Sequence, residues 1–345
     1  MRPMLNPGLR RVWRDPSTVQ FGVDVRRPVV LTGVDDGTAE LLRRLDGTLD
    51  WSSFIASAVA DGYAADQVEA LLHRLNMMSL LTDAATWPGG AALTPAARQR
   101  LAPDLAATAP HVGSSGPAGR CQRLADATVT IAGVGRLGAV IATLLTASGV
   151  GRIHLLDDAL VDDIDVCVGG FTAEDVGRPR ADLGMRLTRW ISATPGDPGA
   201  QLTIITDAAD TRIVSRRLVA AATPHLLVTS AESIGRIGPF VLPGQSSCLR
   251  CFDLERSDRD PGWPVVAAQL TDAPAIARDS NLSISTAALT ALHVTGWITG
   301  GRPASVNGVV ELHLPHGDAV RRPVPFHPSC GCAWPARSQQ ETMVG

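Results

Sequence analysis

Three glycines, Gly133, Gly135 and Gly138, form a Gly-x-Gly-x-x-Gly set that closes the apolar run TVTIAG and opens a helical run through ATLLTASG. Glycine at such a junction lets the backbone turn tightly and come close to a phosphate, whose charge then meets the positive end of the following helix. The alternation continues with the strand RIHLLDD and a helix expected from Pro179 to Ile191. The strand QLTIITDA, a helix around Arg212 to Ala222 and the strand HLLVTSA follow. Alternating strands and helices predict a parallel, doubly wound α/β sheet, and in that context the glycine set reads as a nucleotide loop. The plain structural alternative is that the glycines only let helix and strand pack closely. Toward the C-terminus, VNGVVELHLP and AVRRPVPF flank the turn His316-Gly317-Asp318 and predict an antiparallel hairpin that closes a mixed sheet.

Six cysteines are present, and four fall into two close pairs, Cys248 with Cys251 in CLRC and Cys330 with Cys332 in CGC. Two such knuckles of thiolates can enclose one tetrahedral zinc ion, and four thiolates leave no open position for hydrolytic chemistry. Two disulfides or free thiols are the alternatives. Cys121 and Cys167 read as small buried hydrophobes.

The chain of 345 residues exceeds one ordinary core, so two are expected. Residues 1–85 read as a small winged helix-turn-helix module. Strand signals in RRVW, TVQFGVDV and PVVLTGV precede helical spacing at Ala39, Leu42 and Leu45, from Trp51 to Val59, and at Val68, Leu71, Leu72 and Leu75. Residues 86–120 turn to Ala, Pro and Gly and read as a linker with a short helix from Pro95 to Leu105, capped by Thr94. Residues 121–345 form the larger α/β domain. With 45% hydrophobic and 19% charged residues, there is enough apolar material for both cores.

A formal charge of -3 gives no basic excess to attract nucleic acid. No apolar run reaches the roughly 20 residues of a membrane helix, and the first residues lack the apolar stretch of a signal peptide, so a cytoplasmic protein is expected. All 31 positive side chains are arginine. Without lysine, Schiff-base chemistry and the Walker A loop are excluded.

The segment SGVGRIHLLDDALVDDIDV after the glycine loop resembles the ThiF, MoeB and ubiquitin-activating superfamily, and the resemblance runs from about Arg123 to Cys332. It implies a Rossmann-like ThiF-type domain with a zinc staple at Cys248, Cys251, Cys330 and Cys332. It also implies an ATP and magnesium site at Gly133, Gly135, Arg136, Gly138, Asp157, Arg180 and Asp210. Where the family has a glycine, an asparagine and an arginine, this chain has Arg136, Asp165 and, at or near that place, Val168. The acidic run of Asp157, Asp158, Asp162, Asp163 and Asp165 would repel a triphosphate, which implies a degenerate ATP site. No cysteine lies between Cys251 and Cys330, where ubiquitin-activating enzymes place a thioester cysteine.

The first module resembles a PqqD-like peptide-recognition element. Placed before a ThiF-like domain, it is similar to the leader-peptide-binding partner proteins of thiazole and oxazole peptide biosynthesis, which serve a YcaO-type enzyme. The rival branch comprises peptide-adenylating enzymes of the microcin C type. The resemblance implies a leader peptide added as a strand at Val29, Val30 and Leu31, resting on Val68, Leu71, Leu72 and Leu75. It leaves room for a homodimer.

Overall fold

The computed structural model describes residues 1–24, 28–87, 94–109, 116–183, 200–206, 211–272 and 278–332. They fall into two compact units, Met1–Arg123 and Leu124–Gly345.

In the first unit, β1 (Pro3–Leu5) is followed by β2 (Arg11–Asp15), β3 (Thr18–Phe21) and β4 (Val29–Leu31). The last three form an antiparallel sheet in the order β2-β3-β4. Alternation in β3 turns Val19 and Phe21 inward. Gly22, at φ +79°, ends that strand earlier than its sequence suggests, and Val23 is 65% exposed. Three helices then close over the sheet: α1 (Asp36–Arg44), α2 (Trp51–Ala60) and α3 (Ala65–Met77). Asp35 and Asp50 cap the first two by accepting the Thr38 and Ser53 N–H groups. Leu41, Leu42, Phe54, Ala58, Val68, Leu72 and Leu75 share one core with Val19, Phe21 and Leu31.

A feature outside the sequence expectation is β5 (Leu81–Asp83), which pairs antiparallel with β1 and ties the start of the chain to the end of the helices. The segment expected as a linker carries α4 (Pro95–Thr108), capped by Thr94 as its sequence predicts but three residues longer. Its Leu101 and Leu105 pack with Cys121 of α5 (Gly116–Asp126).

The second unit is built on a seven-stranded sheet of β6 (Thr128–Ala132), β7 (Arg152–Leu156), β8 (Leu202–Ile205), β9 (His225–Ala231), β10 (Ile234–Val241), β11 (Gly308–His313) and β12 (Asp318–Pro323). The strands β7, β6, β8 and β9 are parallel neighbours, and β9 to β12 continue antiparallel to the edge. The expected parallel core and closing hairpin are both present. Helix α6 (Arg136–Ala147) packs against α10 (Ser280–Ile298), while α7 (Thr211–Ala220), α8 (Leu249–Arg259) and α9 (Trp263–Asp272) complete the helices. The helix expected from Pro179 to Ile191 begins as a 3-10 turn at Arg180–Asp182, and its rest lies outside the described residues.

Helix α10 carries no clear apolar stripe because its buried face is partly hydroxyl. Thr286, Thr290 and Thr295 each donate to the carbonyl four residues back, which satisfies polar groups where no water reaches. Strand β10 approaches it so closely that a Cβ on Gly235 would lie 2.0 Å from Thr286 Oγ1.

Candidate functional site

The glycine set lies where β6 ends and α6 begins. Gly133 has φ +90°, a left-handed conformation natural to glycine, and its carbonyl accepts the Thr206 hydroxyl at 2.5 Å. A Cβ on Gly138 would meet the Gly133 carbonyl oxygen at 2.1 Å, so the first turn of α6 can close on the loop only without a side chain there. Gly135 caps α6 with no side-chain hydrogen bond, which leaves the amides of the helix's first turn for an incoming acceptor.

Asp157, just beyond β7, faces this loop. Its carboxylate accepts the Val134 N–H at 2.6 Å, the Ala159 N–H at 2.9 Å and Arg180 NH1 at 2.9 Å. Burial pushes the Asp157 carboxyl up, but these three donors outweigh it and hold it below the usual carboxylate range. Arg180 also donates through Nε and NH2 to Asp165 Oδ2, at 3.0 and 2.7 Å. Burial works against the Arg180 charge, and the two carboxylates reverse that effect and raise its pKa.

This arrangement corrects the view of the acidic run as a bare repulsive patch. Asp165 is fully buried, accepts the Asp162 N–H and is neutralised by Arg180. Its Oδ1 has no hydrogen-bond partner among the described residues. Asp162 and Asp163 are exposed, and Asp162 caps the short turn that presents Asp165. Nor is Arg136 a free cation over the loop, because it donates to the carbonyls of Ile164 and Arg278, both at 2.8 Å. Sequence spacing held no signal for either arginine's partner. Asp210 lies outside the described residues.

The four paired cysteines converge. Their sulfurs all lie within 4.8 Å of one another, with Cys248 and Cys330 at 3.4 Å and Cys251 and Cys332 at 3.4 Å. Those separations are far beyond a disulfide's S–S bond of roughly 2.05 Å and close to the edge of a tetrahedron built on metal–sulfur bonds of about 2.3 Å. The His327 N–H points to Cys251 Sγ at 3.4 Å, an outer contact that orients the ligand. Hydrogen bonding with Cys248, then with Cys332, holds the Cys251 thiol well below its ordinary range, and the bond with Cys251 pushes Cys248 up to about 12. Four adjacent thiolates cannot all ionise without a cation among them, so the donor set fits a thiophilic divalent metal.

In the first unit, β4 is an edge strand, so its outer backbone groups are open to another strand. Val29 and Val30 are half-buried, and Leu71 is a partly buried neighbour of the core. Leu31, Val68, Leu72 and Leu75, expected from the resemblance to meet a peptide, are instead interior residues at 0–3% exposure.

A glycine loop on a mixed seven-stranded sheet, joined in one unit to four close cysteines that could hold a metal ion, defines an α/β protein of the Rossmann-like type. Residues 107–186 match the model of the ThiF family. It is similar to the sulfur carrier protein ThiS adenylyltransferase of Escherichia coli (strain K12), with 28% identity over 179 residues, 44% of this chain and 70% of that protein. Among solved structures, E. coli MccB with ATP aligns at a TM-score of 0.71 and 16% identity, over 96% of this chain and 99% of MccB. The microcin C7 biosynthetic enzyme MccB with N-formylated MccA aligns at 0.72 and 16%, over 96% and 100%. PaaA aligns at 0.67 and 17%, over 92% and 98%. The fold is MccB-like. Among the described residues, no helix is long and apolar enough to cross a membrane.

Proposed function

We propose that the chain is a leader-peptide-binding, ThiF-like scaffold that presents a ribosomally made peptide to a partner modifying enzyme, with a degenerate ATP site. The observation that carries this reading is the Arg180 bridge. The acid expected to receive a nucleotide, Asp157, already accepts three donors, and the nearby cation is shared with a second carboxylate rather than open to phosphate. The open edge of β4, at Val29 and Val30 with Leu71 nearby, is where the leader strand would add. A YcaO-type enzyme is the partner this reading names. The metal at Cys248, Cys251, Cys330 and Cys332 is zinc in a structural role, because a closed thiolate set has no position for substrate.

A second reading, an active adenylyltransferase acting on a peptide or carrier-protein C-terminus, is favoured by the uncapped N-terminus of α6. ATP and magnesium would then be held by Gly133, Gly135, Arg136, Gly138, Asp157, Arg180 and Asp210. The relative named for ThiS adenylation and the MccB crystal with ATP support it. ATP–pyrophosphate exchange with magnesium and the precursor peptide encoded beside the gene separates the two. The scaffold binds that peptide saturably and exchanges no label above the blank, whereas robust exchange overturns it.

A further inference from the structure

Away from the glycine loop, α8, α9 and the antiparallel strands β10 to β12 enclose a second cavity of about 360 Å³. That volume is within the range of sites for small organic ligands. Its wall carries Arg236, Arg256 and Arg322 beside Glu311, Phe252 and Trp263. Arg256 lies over the Trp263 ring at 3.6 Å and beside Phe252 at 5.3 Å. The ring is itself pinned, since the Trp263 indole N–H donates to Asp253 at 3.2 Å and Arg212 holds the same carboxylate at 2.8 and 3.2 Å. The Arg256 guanidinium is therefore fixed in plane by stacking, without an acid partner among the described residues.

The acids around it are already engaged. Glu311, 5% exposed, takes the Nε–H of Arg236 at 3.0 Å and that of Arg322 at 2.5 Å. Glu255 takes Arg259, and Asp260 accepts the Gly262 N–H. Both arginines at Glu311 use only Nε there, so their terminal amino groups, like all of Arg256, have no acceptor among the described residues. Burial, and after it Arg236, lowers the Arg256 pKa, and the opposing pull of Glu311 and Asp253 does not cancel that effect. Guanidinium forks held in fixed planes match the paired oxygens of carboxylate and phosphate.

We propose that this cavity is a binding site for a small oxyanion ligand, a carboxylate or phosphate group clamped by Arg256, Arg236 and Arg322 above Trp263. The proposal stands apart from the peptide and nucleotide readings, since none of these residues belongs to the glycine loop or to the first unit.

Calorimetric titration of the full chain at low ionic strength, with inorganic phosphate in one arm and succinate in the other, tests it. Saturable binding of either anion is expected, tighter phosphate marking a phosphorylated ligand and tighter succinate a carboxylate one. R256M keeps the stem and removes the fork, so it should weaken binding by about ten-fold or more, while R256K should restore only part. If R256M fails to melt cooperatively, R322Q serves instead, because Arg322 is half-exposed and its loss leaves Glu311 paired with Arg236. No saturable binding of either anion, or binding unchanged in a folded arginine variant, overturns the proposal.

Discussion

Arg180 is the residue on which the glycine-loop region turns, because one guanidinium compensates two carboxylates, one of them fully buried. Removing the cation strands both charges, and R180A should cost about 3–5 kcal/mol in urea unfolding at neutral pH. The pH dependence has a definite sign. Asp157 is held below its unfolded value of about 3.9, so its contribution is present above that pH and is lost as pH falls through the lower folded value. Urea midpoints of wild type and D157N, compared at neutral pH and in acid, should differ most at neutral pH and converge in acid. Asp162 and Asp163 can be neutralised without this cost, since both are exposed. Charge counting along the segment reveals five acids but not their roles. What distinguishes Asp165 is a partner fifteen positions away that spacing does not predict.

At the scale of elements, the parallel strands and the closing hairpin were legible because their apolar runs and glycine turns are local signals. The peptide face was not. Helical spacing identifies Val68, Leu71, Leu72 and Leu75 as one side of α3, but not whether that side meets a peptide or the core, and the fold assigns three of the four to the core. The α10 helix is hard to read from sequence because threonines interrupt its apolar pattern and then satisfy themselves against the backbone. The junction of β6 and α6 offers a sharper test. In G138A the new methyl collides with backbone rather than with a movable side chain, so loop and helix must separate. The variant should lose about 1–3 kcal/mol of stability by thermal melting.

For the molecule as a whole, the four cysteines join segments about eighty positions apart, at the entrance to α8 and beyond the end of β12. Elemental analysis should find one metal ion per chain. C330S should bind less than one and melt lower by more than the roughly 2–4 °C that one kcal/mol moves a domain of this size. A metal-free protein with four titratable thiols in the native state would remove the staple. The two-core organisation was legible from length and the change of pattern near residue 121, whereas the β1–β5 pairing, which joins residues far apart in sequence, was not.

Strand β12 is an outer rib with all six residues exposed, bound to the sheet on one side only. Alone it would be the first part of the unit to peel. The four cysteines end just downstream of it, so with a metal bound there, tension applied at the C-terminus would reach Cys330 and Cys332 before it reached the strand. A bound metal would thus shelter this outer rib of the sheet from load, much as a hem keeps a cut edge of cloth from fraying.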